Sequence, residues 1–184
     1  DSRGVIQHEA GGHGFGKLGD EYIYHNAFID NCHCMDGCDH GSAFNMYKRL
    51  GWYDNLSFTG KMQSVPWSHL IFDPRYSDLV DIYEGGYMHS RGVFRSEQNS
   101  CMNNNIPYYS TISRESIVKR IKRYAGETYS FEDFVKNDKR EAGNVTRSTG
   151  RSGSVGNVNS GMHQHAPVIH RGNPLNMSKV RKHR

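Results

Sequence analysis

The sequence predicts an α+β domain followed by a basic tail that stays outside its core, and three observations carry that reading. Apolar residues recur at helical spacing early in the chain and again from Ser113 onward; short apolar runs between Trp52 and Asn105 are broken by Pro66, Pro74 and glycines; beyond Ala142 the periodicity stops. The 184 residues suffice for one domain plus an appendage. An apolar content of 35% and a mean hydropathy of −0.77 are low for a chain that is compact throughout. The deficit has a location. Residues 141–184 hold seven Lys and Arg against the single acid Glu141, a net charge of +6 in a chain of +4, which leaves residues 1–140 at −2. A nucleic-acid binder needs a structured basic face, and the region that can fold has none. No apolar run approaches the ~20 residues that cross a bilayer, so no transmembrane segment is expected.

In chain order, residues 5–15 read as an irregular helix, because Gly11, Gly12, Gly14 and Gly16 fall inside or just beyond it. Residues 30–42 are turn-rich and read as a loop held by Cys32, Cys34 and Cys38. Residues 43–50 resemble a short amphipathic helix capped by Ser42, with Phe44, Tyr47 and Leu50 on one side. From 52 to 105 the expectation is irregular, loop-dominated chain. The clearest helix spans residues 113–125, with Ile117, Val118, Ile121, Tyr124 and Ala125 at helical spacing and Gly126 as its stop. Ser130 and Asp133 fit a capping box for another. In residues 141–184, stretches such as RSTGRSGSVGNVNSG cannot bury enough surface to offset their ordering entropy, so the tail is expected to be flexible.

The stretch that carries chemistry is HEAGGHGFGKLGDEY, residues 8–22. His8, Glu9 and His13 resemble the H-E-x-x-H of zinc proteases, but the histidines are five residues apart instead of four. Four residues turn an α-helix by about 400° and align the two rings, whereas five turn it by about 500° and splay them. A π-bulge adds one residue to a turn and restores the alignment, and Gly11 and Gly12 lie where the backbone would have to widen. His8 and His13 then offer neutral imidazoles to zinc, with Glu9 beside it as general base for water. A third ligand is needed. Asp20, seven residues beyond His13, is favoured, with Glu21 and His25 as competitors.

This stretch resembles the active-site signature of the immunoglobulin A peptidase family of bacterial zinc metallopeptidases, within the zincin superfamily. The family more often shows H-E-x-G-H followed by L-x-D-E-Y, and His13, Leu18, Asp20, Glu21 and Tyr22 fit that ending with one extra residue after Glu9. Dipeptidyl peptidase III also uses the longer spacing. Tyr83 to Gly86, Gly92 to Arg95 and Asn99 to Asn105 are similar to the family's Y-E-G, G-V-Y-R and N-S-x-M blocks, and Met102 would lie in a turn beneath the metal. The resemblance spans about residues 5–138 and implies a zincin-like catalytic domain over 1–140, here lacking strands that precede the helix in the family. It further implies a secreted or cell-envelope bacterial protein that hydrolyses protein or peptide substrates, with His8, His13 and Asp20 holding Zn2+ and Glu9 as the base.

Four cysteines, Cys32, Cys34, Cys38 and Cys101, allow three pairings. A disulfide staple to the active-site floor ranks first, a structural zinc second and free thiols third. His33, Asp36, Asp39 and His40 are further candidate ligands for a second metal. The competing functional reading is a non-catalytic secreted binding module that keeps the zinc as structure. Glu9 separates the two, since a purely structural site has no use for it.

Overall fold

The computed structural model describes residues 2–29 and 40–139. The tail and the loop carrying Cys32, Cys34 and Cys38 lie outside the described residues, as do the expectations attached to them. Within the described chain the α+β class holds. A short α1 (Ser2–Ile6) leads directly into a π-helix (Gln7–Gly16), followed by β1 (Ile23–Phe28), α2 (His40–Arg49), β2 (Leu56–Ser57) and α3 (Ser68–Phe72). Then come β3 (Tyr83–Gly86), β4 (Met88–Arg95), α4 (Cys101–Asn104), α5 (Thr111–Ala125) and α6 (Phe131–Asn137).

Among the described residues the strands form one sheet built on β4. β1 runs parallel to the first half of β4, with His25 opposite His89, while β2 and β3 pair with it antiparallel. Most of the chain between 52 and 105 is irregular, as expected, but it also carries β2, β3 and β4, which that expectation did not place. The strands are short and bulged, and β4 buries residues without strict alternation, so the period-2 signal that marks a half-buried strand is weak.

Two apolar clusters make the core. Val65, Trp67, Leu70, Ile71, Tyr76, Val80, Ile82, Ile112 and Phe134 gather under α5 and α6. Ile29, Phe44, Leu56, Tyr87 and Val93 gather on the sheet. Each fully buried large side chain contributes on the order of 1.5–3 kcal/mol. The helix α5 uses a different face from the one its spacing suggests. It buries Thr111, Ile112, Ser113, Glu115 and Ser116 in its first turns, whereas Ile121 is 49% and Tyr124 71% exposed. Gly126 ends it with φ +69°, and Glu127 N–H closes the turn on the Lys122 carbonyl at 2.8 Å. Ser130 Oγ accepts from Asp133 N–H at 3.3 Å, the cap expected for α6. The second helix begins at His40, so Ser42 lies inside it and does not cap it.

Candidate metal centre

The histidine spacing is resolved by a longer distortion than a single bulge. All ten residues Gln7–Gly16 take the π conformation, in which residues five apart hold the neighbour relation that residues four apart hold in an α-helix. Met102, fully buried, packs beneath this widened helix, where a methyl group on Gly12 would overlap its Sδ. The helix ends at Lys17, whose φ of +54° reverses the chain, and Leu18 N–H bonds back to the Gly12 carbonyl at 3.0 Å. That reversal carries Asp20 back to the histidines.

His8 Nε2, His13 Nε2 and Asp20 Oδ1 then converge: 3.1 Å separates the two nitrogens, and the carboxylate oxygen is 2.9 Å from His8 and 3.1 Å from His13. Ligands placed ~2.0–2.1 Å from a tetrahedral zinc are about 3.3–3.4 Å apart, so these three atoms form a slightly contracted face of such a tetrahedron. Among the described residues this is the group of at least three His, Cys, Asp or Glu whose donor atoms all lie within 4.8 Å of one another.

The outer contacts fit the same use. His8 Nδ1 donates to the Cys101 carbonyl at 2.9 Å, and His13 Nδ1 donates to the Leu18 carbonyl at 2.8 Å. With both Nδ1 protons engaged by backbone, each Nε2 presents its lone pair to the common centre. Asp20 is held from both sides of its own peptide. Tyr87 N–H donates to its carbonyl at 2.7 Å, and the following Glu21 N–H donates to the Met102 carbonyl at 2.8 Å. Tyr22 hydrogen-bonds the Asp20 carboxylate and stacks on His8 with ring centroids 6.2 Å apart.

Without a metal the electrostatics are those of an imidazole pair around a carboxylate. Burial works against a charge on Asp20, but hydrogen bonds from His13 and His8 outweigh it and hold the carboxyl down to about 2. Burial likewise opposes protonation of His13, yet the bond to Asp20, its charge, the Leu18 carbonyl and Glu9 together raise it. Glu9 is exposed, and its charge is felt at both His13 and Tyr22. It stands beside the donor triangle without being one of its corners.

The competing third ligands go elsewhere. Glu21 is fully buried and turned away, accepting from Asn55 Nδ2 at 2.8 Å and from Ser100 Oγ. Burial pushes it up to about 7. His25 lies on β1 beside His89. Other polar side chains are engaged within the fold: His69 pairs with Glu115 at 2.9 Å, Arg95 donates to the Gly85 carbonyl at 2.5 Å, and Tyr108 donates to Glu97 at 2.7 Å. Tyr109 donates to the Gln7 carbonyl at 2.5 Å and lies against Gly11.

Sequence reasoning missed Asn55. Its amide accepts from Gly19 N–H at 2.9 Å and donates to the Gly19 carbonyl and Glu21 Oε1, each at 2.8 Å. It clamps the chain on both sides of Asp20, and no spacing in the sequence announces it. Cys101 is buried, its backbone serving His8, and burial pushes its thiol up to about 11; the cysteines with which it was expected to pair lie outside the described residues.

No helix among the described residues is long and apolar enough to cross a membrane. Compared with known proteins, the chain matches no family model and no curated protein.

Proposed function

We propose that this protein is a zinc-dependent endopeptidase of zincin type, with His8, His13 and Asp20 as the metal ligands and Glu9 as the general base. The observation that carries the reading is the convergence of His8 Nε2, His13 Nε2 and Asp20 Oδ1 within 3.1 Å of one another, with both histidines oriented by backbone carbonyls. Two imidazoles and one carboxylate suit zinc and leave a fourth position for the reaction, as catalytic sites do. Zinc held there supplies Lewis acidity, which polarises a peptide carbonyl and activates water.

The protein's own groups do the rest. Glu9, exposed at the triangle's edge, takes the proton of the attacking water and delivers it to the leaving amine. Asp20, kept ionised, brings negative charge to the metal, and Tyr22 fixes the direction of its carboxylate. The resemblance read from residues 8–22 supports the same assignment, a protein or peptide as substrate, and a place outside the bacterial cytoplasm.

The alternative, a secreted binding module with a structural zinc, needs the ligands but not Glu9. Zinc content and cleavage of a mixed peptide library, measured on wild type, Glu9→Gln and His13→Ala, distinguish them. The endopeptidase requires zinc and cleavage in wild type, zinc without cleavage in Glu9→Gln, and neither in His13→Ala. Cleavage that survives Glu9→Gln, or a wild type that binds zinc and cuts nothing, rejects the proposal.

A further inference from the structure

Glu21 is a buried acid that the proposed reaction does not use, yet its contacts reach both sides of the donor triangle. Given the metal centre proposed above, we infer that Glu21 is a positioning residue: its carboxyl group locks the chain carrying Asp20 to the chain that orients His8, so that the two ligands keep their places relative to one another.

One carboxyl oxygen serves the Asp20 side. Glu21 Oε1 accepts from Asn55 Nδ2 at 2.8 Å, and the same side-chain amide donates to the Gly19 carbonyl at 2.8 Å and accepts from Gly19 N–H at 2.9 Å. Ser110 Oγ donates to the same oxygen at 3.4 Å. The other oxygen serves the His8 side. Glu21 Oε2 accepts from Ser100 Oγ, and the Glu21 N–H donates to the Met102 carbonyl at 2.8 Å. Ser100 and Met102 flank Cys101, whose carbonyl accepts the His8 Nδ1 proton at 2.9 Å. Glu21 therefore grips the residues on both sides of the carbonyl that aims His8.

Packing alone does not call for this residue. Glu21 is 0% exposed, and an apolar side chain of similar volume would fill the space without removing a carboxyl group from water. What the carboxyl group adds is a pair of oxygens in fixed geometry, here shared between Asn55 and Ser100. Satisfied polar networks in a low-dielectric interior are stiff, and outer partners of this kind govern how well ligands meet a metal. Asn55 by itself reaches Gly19. Among the described residues it reaches Ser100 through Glu21.

The experiment compares wild type, Glu21→Leu, Glu21→Gln and Ser100→Ala as full chains, by two readings. Zinc affinity is measured by competition with a chromophoric chelator, and exchange of the His8 Nδ1 proton is followed by NMR in metal-free protein. Leucine removes both oxygens at similar volume; glutamine restores an acceptor for Asn55 and an N–H that Ser100 Oγ can accept. Zinc affinity should fall at least about ten-fold in Glu21→Leu and about ten-fold in Ser100→Ala. The His8 proton should exchange faster in both, and Glu21→Gln should recover most of each loss seen in Glu21→Leu. A role in folding alone would lower stability in denaturant and leave both readings of the folded protein unchanged. Because Glu21→Leu can fail to fold, Ser100→Ala trims one hydroxyl at the far end of the bridge. Unchanged affinity and unchanged His8 exchange in folded Ser100→Ala, or a Glu21→Gln no better than folded Glu21→Leu, overturns the role. A wild type that binds no zinc rejects the metal centre, and the His8 proton, read without metal, still decides whether Glu21 orients that ring.

Discussion

The histidines around Asp20 and those around His89 differ chiefly in a carboxylate and in what holds the rings. At the first cluster, Asp20 sits 2.9 and 3.1 Å from two imidazole nitrogens, and His13 is driven toward protonation. At the second, burial and then the neighbouring His40 and His25 push His89 down to about 4. The first cluster also has both ring orientations fixed by carbonyls, whereas His89 Nδ1 has no hydrogen-bond partner among the described residues. The same side chain is thus driven toward protonation in one place and kept neutral in the other by its company.

The largest effect that would break this contrast is at Glu9. Glu9→Gln should leave zinc at the first cluster while lowering peptide hydrolysis by about 10²–10⁴-fold, as measured by parallel metal analysis and turnover. If zinc leaves with the carboxylate, Glu9 is a ligand and the assignment of Asp20 fails.

Asn55 sharpens the comparison next. Asn55→Ala removes three hydrogen bonds around Gly19 and Glu21 without touching a donor atom. Zinc affinity at His8 and His13 should fall about 10–100-fold, the usual worth of an outer partner. Competition with a chromophoric chelator reads this directly, and an unchanged affinity would mean that the clamp on Asp20 is dispensable.

Gly12→Ala tests the floor of the first cluster. The added methyl overlaps Met102 Sδ and approaches its Cε at 2.9 Å, so the metal-free protein should lose about 1–3 kcal/mol in denaturant unfolding. Met102→Ala in the same chain should recover part of that loss. Equal stability of Gly12→Ala and wild type would show that the π-helix can move off Met102.

The smallest effect is the opposite pH response of the two clusters in metal-free protein. His89 lies below its ordinary 6.5, so the stability it contributes is present above 6.5 and is lost as pH falls toward about 4. His13 lies above 6.5, so its contribution is present below 6.5 and is lost as pH rises through its raised value. Nitrogen-detected NMR titration should find the His13 midpoint above 6.5 and the His89 midpoint far below. Midpoints that coincide would remove the electrostatic distinction.

Part of this was legible in the chain. Five-residue spacing between His8 and His13 with glycines between them called for a widened helix, because a helix has a fixed angular period that a one-dimensional spacing can test. Gly126 and Ser130 marked helix ends for equally local reasons: a left-handed residue and a side-chain oxygen near a free N–H act within a few positions. Asp20 was also named in advance, but only the chain reversal at Lys17 separates it from its neighbour Glu21.

What the sequence determined by itself was therefore the local set: the residue types of the first cluster, the need for a π turn, the helix stops, and the division of charge between residues 1–140 and the basic residues beyond. The tertiary structure alone decided the non-local set. It buried the first turns of α5 instead of its later apolar residues, because α5 packs where Trp67, Leu70 and Phe134 meet Ile112. It assembled a sheet from strands too short and bulged to show their period. It also supplied the Leu18 and Cys101 carbonyls, the Asn55 clamp and the meeting of His25, His40 and His89. Every backbone carries carbonyls, and pairings between distant residues leave no repeat in the chain, so these contacts exist only once the elements have packed.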